Sequence, residues 1–270
     1  MNLRDVLVHL DSSPRCRSRL DLAVSIAATD GARLVGLFAE VAPPQQVGVV
    51  ASWPSADYAA AAAASRELFA EATSVLGAAA VWIDANRGSE MEVTGRVVDF
   101  SRLSDLVILG QPPEEGGRTP TDLPENVILS CGRPVLMVPH SGTWTTIGER
   151  PLFAWTNGRA AARALADSLP LVRADADALI VEGAPRGAPP DEMIAPLVAH
   201  LATHGVRALH RVVVIEEVRL MDTLLNQAAD HSADLMAVGA FEHAGFPYVG
   251  RGSGTRWLLR HMTVPILFSH

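Results

Sequence analysis

The chain is written twice, and that repetition constrains its fold more than any other feature. Ser104-Asp-Leu-Val-Ile-Leu-Gly110 is answered by Ala233-Asp-Leu-Met-Ala-Val-Gly239, 129 residues later. Arg133-Pro-Val-Leu-Met-Val-Pro139 is answered by Val264-Pro-Ile-Leu-Phe-Ser269 at a separation of 131. Each copy also opens with an apolar strand that runs into a helix: Val6–Leu10 before Ser13–Ala28, and Pro151–Trp155 before Gly158–Leu171. Strand and helix patterns alternate throughout. The strand runs are continuously apolar, as parallel strands covered on both faces require. Strand–helix–strand repetition imposes right-handed crossovers. The expected fold class is therefore α/β, with two tandem, doubly wound, parallel five-stranded sheets of Rossmann-like form. The copies read as residues 1–140 and 150–270, joined by a polar linker over 141–149. Residues 42–55, rich in Pro, Gln and Val, read as a long loop over a site or an interface.

Composition removes several chemistries. All 22 basic residues are arginine, and the net charge is −8. A Walker-type phosphate loop, a Schiff-base nucleophile and a protein-kinase site each need a lysine, so none can exist here. The acidic balance argues against a nucleic-acid partner. Cys16 and Cys131 lie far apart, which fits neither a disulfide framework nor a structural zinc site. The N-terminal apolar run is too short for a signal peptide, and no stretch reaches the length of a membrane span. A cytoplasmic protein with no membrane partner and no bound metal is expected. His200 and His204 have helical metal-ligand spacing but no third ligand at a motif distance. Cys16, between Arg15 and Arg17, has the surroundings of a lowered thiol pKa. Nothing forms a nucleophile–base–orienter set, so an enzyme is not expected.

In a doubly wound sheet, ligands bind beyond the carboxyl ends of the strands where the strand order reverses. If the first and fourth strands of a copy are neighbours, the second copy brings Trp155-Thr156-Asn157-Gly158 to the loop between Gly239 and Thr255. That loop ends in Gly250-Arg-Gly-Ser-Gly-Thr255 and leads straight into a helix. Glycines admit close backbone approach, a helix start favours phosphate, and Ser253, Thr255 and Arg251 add donors. The same glycines also suit a plain turn and helix cap. Trp155 and Trp257 both read as lying near this crevice, where an indole could stack on a purine or fill a core.

These residues resemble the universal stress protein family in its tandem form, with a fold similar to that of the adenine nucleotide alpha hydrolases. The family's signature is Gly, two residues, Gly, nine residues, then Gly and Ser or Thr. Gly239 matches its first position and Gly252-Ser253 its last pair, with Glu242 where the second glycine belongs. Thr156 stands where nucleotide-binding members carry Asp after the first strand. In the first copy, Asp11 and Gly110 match, Pro113 replaces the second glycine, and Leu123-Pro124 fall where Gly-Ser should be. The resemblance implies that ATP or a related adenine nucleotide binds in the second copy only. It marks Thr156, Asn157, Gly239, Gly252, Ser253, Gly254 and Thr255 as the site. It also implies stress-response regulation, at most slow ATP hydrolysis, and pairing of the two copies within the chain through strands 134–138 and 265–269. A homodimer of the whole chain stays open. The alternative is a nucleotide-free interaction protein that works through the surface of its paired copies.

Overall fold

The computed structural model describes residues 2–42, 45–47, 50–52, 54–85, 88–112, 117–189, 191–214, 220–241 and 252–270, with 45–47 and 50–52 as backbone only. They form two compact units, residues 2–133 and 134–270. The first unit runs β1 (Asp5–Leu10), α1 (Cys16–Asp30), β2 (Arg33–Phe38), β3 (Gln45–Val47), β4 (Val50–Ser52), α2 (Ala56–Ala72), β5 (Ala80–Asp84), α3 (Glu90–Ser101), β6 (Leu106–Gly110) and α4 (Leu123–Ser130). The second unit runs β7 (Val135–Val138), β8 (Pro151–Trp155), α5 (Arg159–Ser168), β9 (Asp177–Ala184), α6 (Ile194–Thr203), β10 (Arg207–Val214), α7 (Leu220–His231), β11 (Leu235–Gly239), α8 (Ser253–His261) and β12 (Ile266–Ser269).

The parallel order in the first unit is β6-β1-β2-β5. In the second it is β10-β9-β8-β11-β12. Each copy thus sets its first strand beside both its second and its fourth, the doubly wound arrangement expected from the sequence. One strand is partitioned differently from the repeat. β7, which ends the first sequence copy, pairs antiparallel with β12, placing Met137 opposite Ile266 and Val135 opposite Phe268. That ladder draws β7 into the second compact unit, which begins at residue 134. The stretch 42–55, read as a loop, contains the short antiparallel pair β3–β4.

Local chemistry explains the elements. Ser89 and Glu92 form a reciprocal capping box that starts α3. The Ser55 hydroxyl accepts from the Tyr58 N–H at the start of α2. β1 and β8 are buried along most of their length, consistent with their continuous apolar runs. In the second unit Phe153 on β8, Ala164 and Leu165 on α5, Ile180 on β9 and Leu201 on α6 share one core.

The repeated aspartate has the same task in both copies. The Asp105 carboxylate accepts from the N–H groups of Arg4 (2.8 Å) and Asp5 (3.0 Å), while its own N–H donates to the Asp5 carbonyl. The Asp234 carboxylate accepts from the N–H groups of Glu149 (2.8 Å) and Arg150 (3.0 Å), and its N–H donates to the Arg150 carbonyl. Each aspartate clamps the start of its copy's first strand to the start of the fourth. Asp105→Ala and Asp234→Ala each remove a charged acceptor from two backbone donors. Each is expected to cost about 1–3 kcal/mol, read as a lower urea midpoint for the unit concerned, with part recovered in the Asn variants.

Candidate functional site

A cavity opens at the carboxyl ends of β8 and β11, enclosing about 800 Å³ when its part open to solvent is counted. Of the residues marked in the sequence, Thr156, Gly239, Gly252, Gly254 and Thr255 line it. Asn157 and Ser253 are exposed and lie off it. Glu242 and Arg251 lie outside the described residues, as does Pro113.

The glycines that match the signature have structural reasons of their own. A Cβ on Gly239 would meet the backbone of Ala160 and Ala161 at 2.7–2.8 Å, so its absence lets α5 lie tight against β11. Gly252 precedes α8 in the left-handed conformation (φ 71°), and a Cβ there would run into the Phe241 ring. Phe241 itself has φ 54°, and its N–H donates to the Thr255 hydroxyl at 3.1 Å. Thr255 therefore ties the start of α8 back to the end of β11, and its buried hydroxyl already accepts a bond within the protein.

Sequence reasoning missed much of the wall. Val181 and Gly183 come from β9, and Leu220, Met221 and Leu224 from the first turns of α7. The available signal was the four-residue spacing Leu220, Leu224, Ala228, which marks the buried stripe of α7. Trp155 lines the cavity. Trp257 does not. It stacks on His261 along α8 at 4.2 Å, and His261 Nδ1 donates to the Trp257 carbonyl at 2.8 Å. The exposed His200 and His204 rings meet edge to face, 5.0 Å between centroids. No third His, Cys, Asp or Glu joins them among the described residues.

The equivalent crevice of the first unit is filled from inside. Arg19, buried on α1, extends beneath Gly110, where a Cβ would collide with its guanidinium. Arg19 Nε donates to the His9 carbonyl at 2.8 Å. Its Nη2 lies 3.0 Å from Asp11 Oδ2, an ion pair outside hydrogen-bond alignment. Burial pushes the Asp11 carboxyl up, yet Arg19, His9 and the Ser13 hydrogen bonds outweigh it and hold the group well below the usual carboxylate range. The buried Glu40 carboxylate accepts from the Ser12 hydroxyl at 2.9 Å and lies 3.8 Å from Arg118. Cys16 departs from the sequence expectation, because burial pushes its thiol up despite the nearby Arg19. Thus Asp11, which matches the signature, is committed to an internal partner.

His9 makes this cluster sensitive to acid. Its Nε2 donates to the Ala39 carbonyl at 2.8 Å, and its Nδ1 lies 3.9 Å from Asp11. Burial lowers the pKa of His9 more strongly than Asp11 raises it, and Arg19 adds to the lowering. The folded chain therefore resists a proton that the unfolded chain accepts below about pH 6.5. The associated stability is present above that pH and is lost as pH falls towards the depressed folded value. Asp11 follows with a second loss below about pH 4. Urea midpoints of the first unit are expected to fall between pH 7.5 and 5, with a smaller slope in His9→Gln; equal slopes would contradict the assignment.

No family model and no curated protein matches the chain. Solved structures do match it along its whole length. A universal stress protein from Archaeoglobus fulgidus DSM 4304 aligns with 98% of this chain and 96% of its own at 14% identity, with a TM-score of 0.76. A functionally unknown protein from Pseudomonas aeruginosa PAO1 covers 99% of this chain and 92% of its own at 15% identity, with a TM-score of 0.61. Among the described residues no helix is long and apolar enough to cross a membrane. The chain therefore has the fold of a universal stress protein, with its strand–helix unit written twice.

Proposed function

We propose that the chain regulates a stress response by binding an adenine nucleotide, ATP or a relative, in its second unit. The observation that carries this reading is the gathering of Thr156, Gly239, Gly252, Gly254 and Thr255 around one cavity at the switch in strand order. The start of α8, whose first turn has no side-chain cap among the described residues, brings a favourable dipole to the same wall. Thr156 in place of an aspartate removes from that position a carboxylate that could orient a sugar hydroxyl. No lining residue among those described is a carboxylate, histidine or cysteine, which favours binding over turnover. Repeat copies over 1–140 and 150–270 remain our assignment of the two domains. The paired closing strands of those copies would let one chain do what two single-copy chains do as a dimer, and a cytoplasmic location suits such a sensor.

The filled first crevice supports a second reading, in which the chain is a nucleotide-free interaction protein. Mass spectrometry of freshly purified, denatured protein separates the two. Co-purified adenine nucleotide at one molecule per chain is expected, and Gly254→Val, which crowds Met221 across the cavity, should weaken ATP binding about tenfold or more. Absence of nucleotide together with flat calorimetric titrations of ATP would leave the interaction reading standing.

A further inference from the structure

The residues that fill the first crevice meet at a single oxygen. Asp11 Oδ1 accepts from the N–H (3.1 Å) and the hydroxyl (2.6 Å) of Ser13. Asp11 Oδ2 faces Arg19 Nη2 at 3.0 Å and His9 Nδ1 at 3.9 Å, and the Thr119 hydroxyl reaches it at 3.4 Å. His9 Nε2 lies 2.8 Å from the Ala39 carbonyl, so it carries the N–H of the neutral ring and leaves the lone pair on Nδ1. A second proton on His9 must therefore sit on Nδ1, and the carboxylate oxygen it faces is the one that holds Arg19. His9 and Arg19 are buried and Asp11 nearly so, which leaves little water to relieve two cations competing for one oxygen. Around the cluster, burial keeps the Cys16 thiol of α1 neutral. The Glu40 carboxylate after β2 is engaged by Ser12 and by Arg118 from the segment after β6. The second copy supplies the contrast. Val6 and Pro151 hold equivalent places beside the leucine of the repeated fourth strand. Counting from there, Ala154, Thr156 and Ala164 stand where His9, Asp11 and Arg19 do, and all three are uncharged.

We propose that His9, Asp11 and Arg19 form a proton-operated latch, which holds the start of α1 against the end of β1 near neutral pH and opens the first crevice when a second proton on His9 displaces Arg19 from Asp11. In the open form Asp11, which matches the signature, is no longer held by an internal cation. The first unit is then the acid-responsive part of the chain, whether or not the second binds a nucleotide. The direction follows from burial, which lowers the affinity of His9 for a proton while the latch is closed. Once released, His9 regains that of an ordinary histidine. The open form thus gains on the closed one as pH falls below about 6.5, by up to about tenfold per pH unit.

Hydrogen exchange of the full chain, read by mass spectrometry as protection factors at about pH 7.5 and 5.5, tests this. Amides of residues 12–20 are expected to lose about tenfold in protection at the lower pH, while residues 157–165 of the second copy and strand β6 keep theirs. His9→Gln keeps a donor for the Ala39 carbonyl but cannot take the proton, and should abolish the loss. Unchanged protection of residues 12–20 in the wild type, or the same loss in His9→Gln, would overturn the proposal. So would an equal loss in β6, which would mean that the unit unfolds as a whole. Should His9→Gln fail to fold, the wild-type comparison of residues 12–20 with β6 and with the second copy still decides.

Discussion

Two aspartates hold the arrangement from which both crevices arise. Asp105 and Asp234 each bind two backbone N–H groups at the start of their copy's first strand. The first and fourth strands of a doubly wound sheet come from distant parts of the chain, and their adjacency creates the switch in strand order. With the starts clamped, the register follows: Val6 lies opposite Leu106, and Leu235 opposite Pro151. The carboxyl ends then diverge into loops that leave a gap. A carboxylate at the amino end of the sheet thereby fixes where ligand chemistry can occur at the other end.

From this common frame the two copies diverge through the helix that follows the first strand. In the second unit α5 brings Ala160 and Ala161 against Gly239, and space remains beside them. In the first unit α1 brings Arg19 beneath Gly110, and a network of Arg19, Asp11 and His9 occupies the place. A buried ion pair contributes little net stability over a packed apolar core, but losing one partner costs about 3–5 kcal/mol because the other charge stays behind. The first crevice therefore cannot be reopened by truncating Arg19 alone. Asp11 would remain buried without its counter-ion, and the acid sensitivity of His9 would change with it.

Much of this was legible before any coordinates. The repeat marked both copies, continuous apolar runs identified the parallel strands, and the signature spacing brought Gly239 and Gly252 to one place. The antiparallel register of β7 on β12 was less accessible than the pairing of strands 134–138 and 265–269, which the resemblance implied, since partners over 100 residues apart leave no periodic trace in either segment. Arg19 was hidden for another reason. An arginine on a helix normally keeps its charge in water, and Arg15 and Arg17 beside it suggest a solvated face. Yet Cys16, Arg19, Ala23 and Ile26 follow the spacing of a buried helical stripe, and all four are inside. The pattern was correct, and residue type argued against it.

The signature residues divide once folding has had its share. Gly239 is required by the backbone of α5, Gly252 by its own φ and the Phe241 ring, and the Thr255 hydroxyl by the Phe241 N–H. Each would be needed in a protein of this shape that never met a ligand, so matching the signature argues for the fold more strongly than for the nucleotide. Trp155 lies outside the signature, and its ring packs against the core that Phe153, Leu165 and Leu201 share. Packing explains its ring, but no partner among the described residues explains its donor. A residue that the fold itself requires says little about what the cavity holds.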